Sequence, residues 1–461
     1  MLRRRDLLIC MGAAAFHPRL WSQSGTREAS ISVDWKTEGN KVPSDYSGFS
    51  YETAQLVNPA FFSPHHRQLI SLYRELTPRG VLRIGGGTSA FTTFTGKPQQ
   101  APPPFDVFGP DTEKTAKKEF LISTTAIDAL RGFLNATGWT CIYGLNMAQG
   151  GVENAIAEAT YVQKTLGAKL VCFQLGNEPD SWRTRYRPAT WEPADFLEEW
   201  RRFREALVAK VPGLKLAGPD ISNKLPYLTA FAEEMHRGHY PEVILLTAHY
   251  YAMGPARSEG ATLDQLMSPT PKQRTGDVNK MMAAVKPTGL PFRMAEGNSC
   301  WDGGKLGVSD TLAAALWCGD FMLQWAQAGC IGINMHGGGD GNYTPIAGGL
   351  SKPLTRRPEF YGMLLAQRFV DATLIPCTLT CDSDRVTAYA AKNARAESML
   401  AIFNKTSDPL RVRTESPWNR GMLLTGPGFE SKEGITLQPM HMGKTSTLDL
   451  PAHSAGVVWK R

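Results

Sequence analysis

The sequence predicts an α/β fold in which a closed (β/α)8 barrel of the TIM type is followed by a C-terminal antiparallel β-sandwich domain. From about residue 46, short β-branched apolar runs alternate with amphipathic helical stretches, the pattern of a parallel sheet. Eight such runs occur, which is the number that closes a barrel. After residue 370, short strand-like runs broken by Gly, Pro, Asn and Ser indicate a sandwich.

Each of the eight runs is a predicted barrel strand. They are 46–52, 81–87, 140–148, 170–178, 214–220, 243–251, 291–298 and 330–337. Helical patterns lie between them, as in 192–210, where the apolar residues fall on one face. An open doubly wound sheet is the alternative, but the turn after the second strand begins Gly85-Gly86-Gly87 and lacks the GxGxxG dinucleotide fingerprint. A barrel is therefore favoured.

Four segments follow from this pattern. They are a signal peptide over 1–25, an N-terminal strand over 26–45 that joins the sandwich, the barrel over 46–370 and the sandwich over 371–461. In the first segment, arginines precede an apolar run (7–16) too short to cross a bilayer. The motif Arg4-Arg5-Asp6-Leu7-Leu8 fits the twin-arginine pattern, which predicts export to the periplasm or the extracellular space. A disordered basic tail is the alternative.

The composition argues against nucleic-acid and membrane partners. The net charge of +7 is modest for 461 residues, and the basic residues form no stripe. Eight cysteines do not imply a disulfide framework in so long a chain, although the spacing leaves a Cys377–Cys381 bridge open. No Cys/His spacing resembles a zinc site, and the sequence implies no metal and no organic cofactor. A monomer is expected.

Two glutamates end predicted strands on opposite sides of the barrel mouth. Glu178 ends the fourth strand, after Asn177, and Glu296 ends the seventh. Function in such barrels lies at the C-terminal ends of the strands. Two carboxylates there suit glycosidic cleavage, in which one protonates the leaving oxygen and the other attacks the anomeric carbon. A single such glutamate would as readily be a rim salt bridge or a metal ligand, but two together favour catalysis.

These strand ends resemble those of the clan A glycoside hydrolases, and within that clan the chain resembles family 79, the β-glucuronidase and heparanase group. The likeness runs through most of the mature chain. It rests on GFSYETAQL (48–56), GVLRIGGGTS (80–89), FQLGNEPD (173–180), AHYY (248–251), MAEGNSCWDGG (294–304) and HGGGDGNYTPIAG (336–348).

The resemblance implies a retaining, exo-acting β-glucuronidase that releases glucuronic acid from a glycan or a glucuronide. It assigns the general acid/base to Glu178 and the nucleophile to Glu296. The acid needs a raised pKa and the nucleophile must stay ionised. We expect Arg83 and Tyr251 to bond to Glu296 and keep it charged; a buried structural ion pair is the alternative for Arg83. Asn177 is expected to hold the sugar 2-hydroxyl.

The glycine run after the eighth strand is the best clue to the substrate. Backbone N–H groups of Gly338 and Gly339 are expected to converge on an anion. Family 79 enzymes recognise the sugar carboxylate in this region with a tyrosine that matches Tyr343, which implies a uronic acid. A flexible turn is the alternative. The remaining candidate sugar contacts are His336, Glu52, Thr88 and Ser89.

Two departures from the family pattern bear on specificity. Ala90 stands where members carry an acidic residue, and Trp301 stands where bacterial β-glucuronidases are expected to have Tyr, which replaces a hydroxyl with a stacking face. The long loop predicted over 96–118 bears on exo against endo action. Three alternatives stay open: an endo-acting heparanase-like enzyme, a neutral-sugar enzyme such as an arabinofuranosidase or a xylanase, and an inactive carbohydrate-binding protein.

Overall fold

The computed structural model describes residues 25–99, 119–268, 277–440 and 442–460. The predicted signal peptide, apart from Gly25, and most of the predicted loop over 96–118 lie outside these residues. Within the described ranges, no helix has the length and apolar character needed to cross a membrane.

Eight parallel strands close into a barrel, which confirms the predicted fold class. The first strand of the described residues, β1 (Arg27–Val33), lies outside the barrel. The barrel strands are β2 (Ser47–Glu52), β3 (Val81–Gly85), β6 (Thr140–Leu145), β7 (Leu170–Leu175), β8 (Leu216–Ile221), β9 (Val243–Tyr251), β10 (Phe292–Asn298) and β11 (Ile333–His336). A small sheet of β4 (Thr92–Phe94) and β5 (Phe120–Ile122) lies between β3 and β6 in the chain. A second small sheet, of β12 (Ile346–Ala347) and β13 (Thr355–Arg356), follows β11.

The strands follow one another around the barrel in chain order, and β11 pairs with β2 to close it. β7 is the fourth strand of this circle and β11 the eighth, so the two lie across the barrel from each other. The carboxyl ends of all eight strands open at one mouth. Side chains that follow β7 and β11 therefore face each other across that mouth.

Helices surround the barrel. They are α1 (Arg67–Leu76), α2 (Thr124–Thr137), α3 (Val152–Leu166), α4 (Pro193–Lys210), α5 (Leu225–Arg237), α6 (Leu263–Met267), α7 (Asp277–Val285), α8 (Leu312–Gln327) and α9 (Pro358–Ala366). At the start of α4, the Asp195 carboxylate accepts a bond from the Glu192 N–H, and Pro193 occupies the first turn. The face of α4 that was predicted from the sequence to be apolar is buried. It consists of Phe196, Leu197, Trp200, Phe203 and Leu207.

The second domain consists of two sheets. The four-stranded sheet runs β15 (Cys377–Cys381), β1, β18 (Leu410–Trp418) and β21 (Thr445–Leu450). The six-stranded sheet runs β14 (Thr373–Ile375), β16 (Val386–Lys392), β17 (Ser398–Asn404), β22 (Ser454–Lys460), β19 (Arg420–Thr425) and β20 (Thr436–Pro439). The pairing of β1 with β18 is parallel, which departs from the antiparallel pattern predicted. Cys377 and Cys381 are both free thiols.

A buried ion pair joins the barrel to the second domain. The Lys405 ammonium, just after β17, lies 2.5 Å from the Asp320 carboxylate of α8, and both side chains are almost fully buried. The hydroxyls of Thr387 and Tyr389 donate to the same carboxylate, at 2.6 and 2.7 Å. Asp320 thus depends on Lys405 for its countercharge.

Lys405→Met is expected to lower the free energy of unfolding by about 3–5 kcal/mol, because it leaves Asp320 buried without a countercharge. Urea unfolding would measure the change. The double variant Asp320→Leu/Lys405→Met should lose less than the single one. The control is Arg411→Met, which breaks an exposed pair with Asp449 and should have only a small effect. Equal losses in the two single variants would contradict the role given to the buried pair.

Candidate active site

The two glutamates singled out from the sequence meet at the barrel mouth. Glu178 lies just after β7, and Glu296 lies within β10. One carboxylate oxygen of each, together with a ring nitrogen of His249, lies within 4.8 Å of the others. The side chain of Glu296 is 8% exposed and that of Glu178 is 27% exposed, so Glu178 is the one open to the cleft.

The backbone around Glu178 turns sharply at the end of β7. Gly176 (φ 80°) and Glu178 (φ 48°) both have left-handed conformations, which a residue other than glycine seldom adopts without support. The Glu178 N–H donates to the carbonyl of Asp220 at 2.9 Å, and the Trp182 indole donates to the carbonyl of Asn177 at 2.8 Å. These bonds hold the turn that directs Glu178 into the mouth.

Arg83, on β3, is fully buried at the base of the site. Its guanidinium donates to the Glu296 carboxylate at 2.7 Å and to the Asp220 carboxylate at 2.5 Å. It also donates to the side-chain oxygens of Asn177 at 2.7 Å and Gln174 at 3.0 Å. The two interpretations left open by the sequence therefore both describe Arg83, since it forms a structural ion pair with Asp220 and contacts Glu296 directly.

Glu296 lies among groups that favour its charged form. The Tyr251 hydroxyl donates to it at 2.7 Å, and a ring nitrogen of His336 lies 3.5 Å from it. Burial by itself would raise the pKa of Glu296, but His336, His249, Arg83 and the Tyr251 hydrogen bond outweigh burial. The pKa of Glu296 consequently falls well below its ordinary value, and the carboxylate is ionised at neutral pH.

Glu178 has the opposite character. Burial raises the pKa of its carboxyl group above the ordinary value of 4.5, and the negative charge of Glu296 acts in the same direction. The hydrogen bond and charge of His249 oppose these effects without cancelling them. Two carboxyl groups within one site thus have pKa values displaced in opposite directions.

His249, on β9, bridges two carboxylates through both ring nitrogens. Nδ1 lies 3.0 Å from Glu178 and Nε2 lies 3.1 Å from Asp220. Burial would lower the pKa of His249, yet the negative charges of Asp220 and Glu296 and the bonds to Asp220 and Glu178 raise it to about 10. The ring is an imidazolium at neutral pH, so both nitrogens donate.

Glu178, His249 and Glu296 present three ligand atoms close enough to surround a cation. The same carboxylates already have positive partners, because Arg83 bonds to Glu296 and the protonated His249 bonds to Glu178. A metal ion would have to displace a proton and compete with a buried guanidinium. The donor set therefore suits proton transfer better than metal binding.

The glycine run after β11 has positive φ angles at Gly338 (115°) and Gly339 (59°). The Gly338 N–H donates to the Thr344 hydroxyl at 3.0 Å, so it is not directed at an anion as the sequence analysis expected. Tyr343 is nearly buried, with its ring 6.4 Å from that of Tyr251 and 5.8 Å from that of His336. The loop thus brings Tyr343 and His336 beside Glu296.

The candidates near β2 and β3 have different surroundings. Glu52 accepts hydrogen bonds from the Thr88 N–H at 2.7 Å and the Thr88 hydroxyl at 2.5 Å, and lies 3.8 Å from His336. The buried Ser89 hydroxyl donates to the Gly86 carbonyl at 2.8 Å, which is a turn-forming bond. Glu52 remains at the site, while Thr88 and Ser89 serve the local backbone.

The two departures from the family pattern lie in different environments. Trp301 is 37% exposed, and the Arg257 guanidinium lies over its ring at 5.1 Å. Ala90 is buried, and its carbonyl accepts from the Asn146 amide at 3.2 Å. Trp301 is therefore available to a ligand at the barrel mouth, whereas the side chain of Ala90 is buried in the protein interior.

Sequence reasoning missed three polar residues of the site: Gln174, Asp220 and His249. The Gln174 amide donates to Asp220 at 2.5 Å and to Thr247 at 3.0 Å. The sequence carries a signal for them, because each is a polar residue inside an otherwise apolar barrel strand. Such residues point into the barrel or its mouth and must find polar partners there.

His249 is expected to stay doubly protonated from about pH 6 to pH 8.5, because its pKa is raised to about 10. Nitrogen-15 NMR of the imidazole would show this. Protonation of His249 stabilises the folded state fully below pH 6.5, the ordinary pKa of a histidine. That stabilisation is lost as the pH rises through about 10, the raised pKa of His249. Asp220→Asn should lower the pKa of His249, and Asn tolerates the left-handed backbone at this position. Asp449→Asn is the control. Titration of wild-type His249 between pH 6 and 7 would contradict the interpretation.

The chain resembles known proteins in sequence and in fold. No protein-family model matches the chain. A β-glucuronidase of Aspergillus niger is 25% identical over 457 residues, covering 90% of this chain and 80% of the relative. A β-glucuronidase of Neurospora crassa is 26% identical over 381 residues, covering 74% of this chain and 66% of the relative.

Solved structures share the fold. A 4-O-α-L-rhamnosyl-β-D-glucuronidase from Fusarium oxysporum superposes with a TM-score of 0.74 at 17% identity, covering 94% of this chain and 99% of that one. A family 51 arabinofuranosidase from Xanthomonas axonopodis pv. citri gives a TM-score of 0.68 at 15% identity, with coverage of 94% and 99%. The resemblance drawn from the sequence motifs is confirmed, and the chain is a glycosidase that is similar to curated β-glucuronidases.

Proposed function

We propose that this chain is a retaining, exo-acting β-glucuronidase, with Glu178 as general acid/base and Glu296 as nucleophile. The observation that carries the proposal is the carboxylate pair within 4.8 Å, whose two pKa values are displaced in opposite directions. Retaining enzymes hold their carboxyl groups about 5–5.5 Å apart, whereas inverting enzymes need about 6.5–9.5 Å to admit a water molecule. The spacing therefore favours attack by the enzyme itself.

In the first step, the ionised Glu296 attacks the anomeric carbon and a glycosyl–enzyme bond forms. Glu178 gives its proton to the glycosidic oxygen, and the bond between that oxygen and the anomeric carbon breaks. Arg83 and Tyr251 hold Glu296 in place through hydrogen bonds to its two oxygens. The Asn177 amide, whose oxygen is held by Arg83, lies beside Glu178 to meet the sugar 2-hydroxyl.

In the second step, Glu178 has lost its proton and serves as a base. It takes a proton from water while the water oxygen attacks the anomeric carbon, and Glu296 leaves as a carboxylate. His249 donates to Glu178 whether that carboxyl group is protonated or ionised, because both ring nitrogens of His249 carry a proton. The configuration at the anomeric carbon is retained after two displacements.

The sugar is assigned from the relatives and the loop after β11. Both curated relatives are named β-glucuronidase, and His336 and Tyr343 surround the position beside Glu296. A neutral-sugar enzyme is the second candidate, since arabinofuranosidases share the fold. A panel of chromogenic glycosides separates the two.

We also propose that the leading segment directs export. The monomeric state stays a prediction.

Glu178→Gln and Glu296→Gln are each expected to lower kcat/KM on 4-nitrophenyl β-D-glucuronide by at least about a thousandfold, because each removes one half of the pair. Azide separates the roles, since a small nucleophile can replace the missing group. Glu178→Ala with azide should give the β-glucuronyl azide, and Glu296→Ala with azide the α-anomer. Proton NMR of the products would identify them.

Glu233→Gln on α5, which alters an exposed carboxylate paired with Arg237, is the control and should retain near wild-type activity. Activity in Glu296→Gln equal to that of the control would contradict the assignment. Hydrolysis of an arabinofuranoside in preference to the glucuronide would leave the carboxylates in their roles and overturn the sugar.

The kcat/KM profile is expected to rise as Glu296 ionises, well below pH 4.5, and to fall as Glu178 loses its proton, above pH 4.5. Tyr251→Phe removes a hydrogen bond to the charged form of Glu296, which raises the pKa of that group. The acidic limb should therefore move to higher pH while the alkaline limb stays in place. Initial rates between about pH 3 and pH 9 would test this. A shift of the alkaline limb instead of the acidic one would contradict the assignment of the acidic limb to Glu296.

A further inference from the structure

One buried carboxylate beside the active site has no part in the proposed reaction. Asp180 follows Glu178 by two residues, in the turn after β7, and its side chain is fully buried. A carboxylate without exposed surface cannot contact the substrate. Because burial of a charged group is costly unless hydrogen bonds compensate it, the bonds that Asp180 forms indicate what it does.

The Asp180 carboxylate accepts four hydrogen bonds from the loop after β8. The N–H and the hydroxyl of Ser222 each donate to it at 2.8 Å. The N–H groups of Asn223 and Lys224 donate to it at 3.1 and 3.0 Å. All four donors belong to three consecutive residues that lead into α5. The carboxylate therefore holds one loop of the barrel mouth against the neighbouring turn.

Two further hydrogen bonds connect the same two segments. The Lys224 ammonium donates to the Asp180 carbonyl at 2.6 Å, and the Glu178 N–H donates to the Asp220 carbonyl at 2.9 Å. The turn after β7 is thus bonded to the loop after β8 both at Glu178 and at Asp180. Because β7 and β8 are neighbours in the barrel, these bonds join the two segments into one unit at the mouth.

The turn needs this support because Glu178 has a left-handed backbone conformation, with a φ angle of 48°. A residue other than glycine keeps such a conformation only when its surroundings hold it there. Relaxation of the turn would move the Glu178 carboxyl group, which must come within hydrogen-bond distance of the glycosidic oxygen. A displacement of about 1 Å can lower a rate by about a hundredfold. The bonds of Asp180 therefore bear directly on proton transfer by Glu178.

We propose that Asp180 is a positioning residue for the general acid/base, because its carboxylate fixes the turn after β7 on the loop after β8 and so directs Glu178 to the glycosidic oxygen. This rests on the proposed function. A poor leaving group such as methoxide has to be protonated as its bond breaks, whereas 2,4-dinitrophenolate leaves with little assistance. Loss of Asp180 should therefore slow substrates with poor leaving groups most.

The test compares kcat/KM of Asp180→Ala on methyl β-D-glucuronide and on 2,4-dinitrophenyl β-D-glucuronide. We expect a loss of about a hundredfold on the methyl substrate and of less than about threefold on the dinitrophenyl substrate, since the first depends far more on the proton of Glu178. Azide should raise kcat of the variant on the dinitrophenyl substrate, because azide attacks the glycosyl–enzyme without the help of a base. The wild type should show no such activation.

Two milder variants grade the effect. Asp180→Asn keeps an acceptor oxygen for the N–H groups of Asn223 and Lys224, so it should recover most of the loss on the methyl substrate. Ser222→Ala removes one of the four donors and should lower the methyl-to-dinitrophenyl ratio by a smaller factor than Asp180→Ala does. Asn223 and Lys224 are exposed, so their N–H groups can bond to water in Asp180→Ala and that variant should fold.

Glu158→Ala is the matched control, because it also removes a buried carboxylate. Glu158 lies on α3 and accepts a hydrogen bond from the Tyr143 hydroxyl of β6 at 2.7 Å. This variant should leave the ratio of the two rates unchanged and should not be activated by azide.

Equal losses on both substrates in Asp180→Ala, or no activation of that variant by azide, would give Asp180 a merely structural role and overturn the proposal. An unchanged ratio in Glu178→Ala would contradict the proposed function itself. If the wild type cleaved neither glucuronide but hydrolysed another glycoside, the proposed sugar would be wrong instead. The same two leaving groups on that glycoside would then test Asp180.

Discussion

The buried guanidinium of Arg83 is the interaction on which the rest of the site depends. Two carboxylates, Asp220 and Glu296, come within 2.5 and 2.7 Å of it, and all three side chains are almost fully buried. Without the guanidinium, two negative charges would be buried with too little compensation, which typically costs about 3–5 kcal/mol for one broken pair. Because the same group also bonds to Asn177 and Gln174, it fixes side chains from β3, β7, β8 and β10 in one arrangement.

The site separates two chemically identical carboxyl groups by their surroundings. Glu296 lies inside the barrel among Arg83, Tyr251 and histidine rings, and its charge is stabilised. Glu178 lies on a turn beyond β7, partly open to the cleft, and desolvation favours its protonated form. His249 connects the two environments, because its charge is maintained by Asp220 while it donates to Glu178. Arg83 and His249 thus form one positively charged network that stabilises the Glu296 carboxylate and donates a hydrogen bond to Glu178.

The second domain contributes to this arrangement from a distance. β1, at the start of the described chain, pairs with β15 and β18, so the N-terminal segment is held in the C-terminal domain. The Asp320–Lys405 pair attaches α8, the helix after β10, to that domain. The strand that carries Glu296 is therefore followed by a helix whose position the sandwich helps to determine.

The sequence by itself determined the barrel, its eight strands and the two glutamates, because strand periodicity and polar residues at strand ends are local features. It also indicated Arg83 and Tyr251 as partners of Glu296. Only the tertiary structure decided that Gln174, Asp220 and His249 join the site, that the Gly338 N–H serves Thr344, and that Asp180 bonds to the loop after β8. Those outcomes depend on which side chains meet across strands far apart in the chain, which no local pattern records.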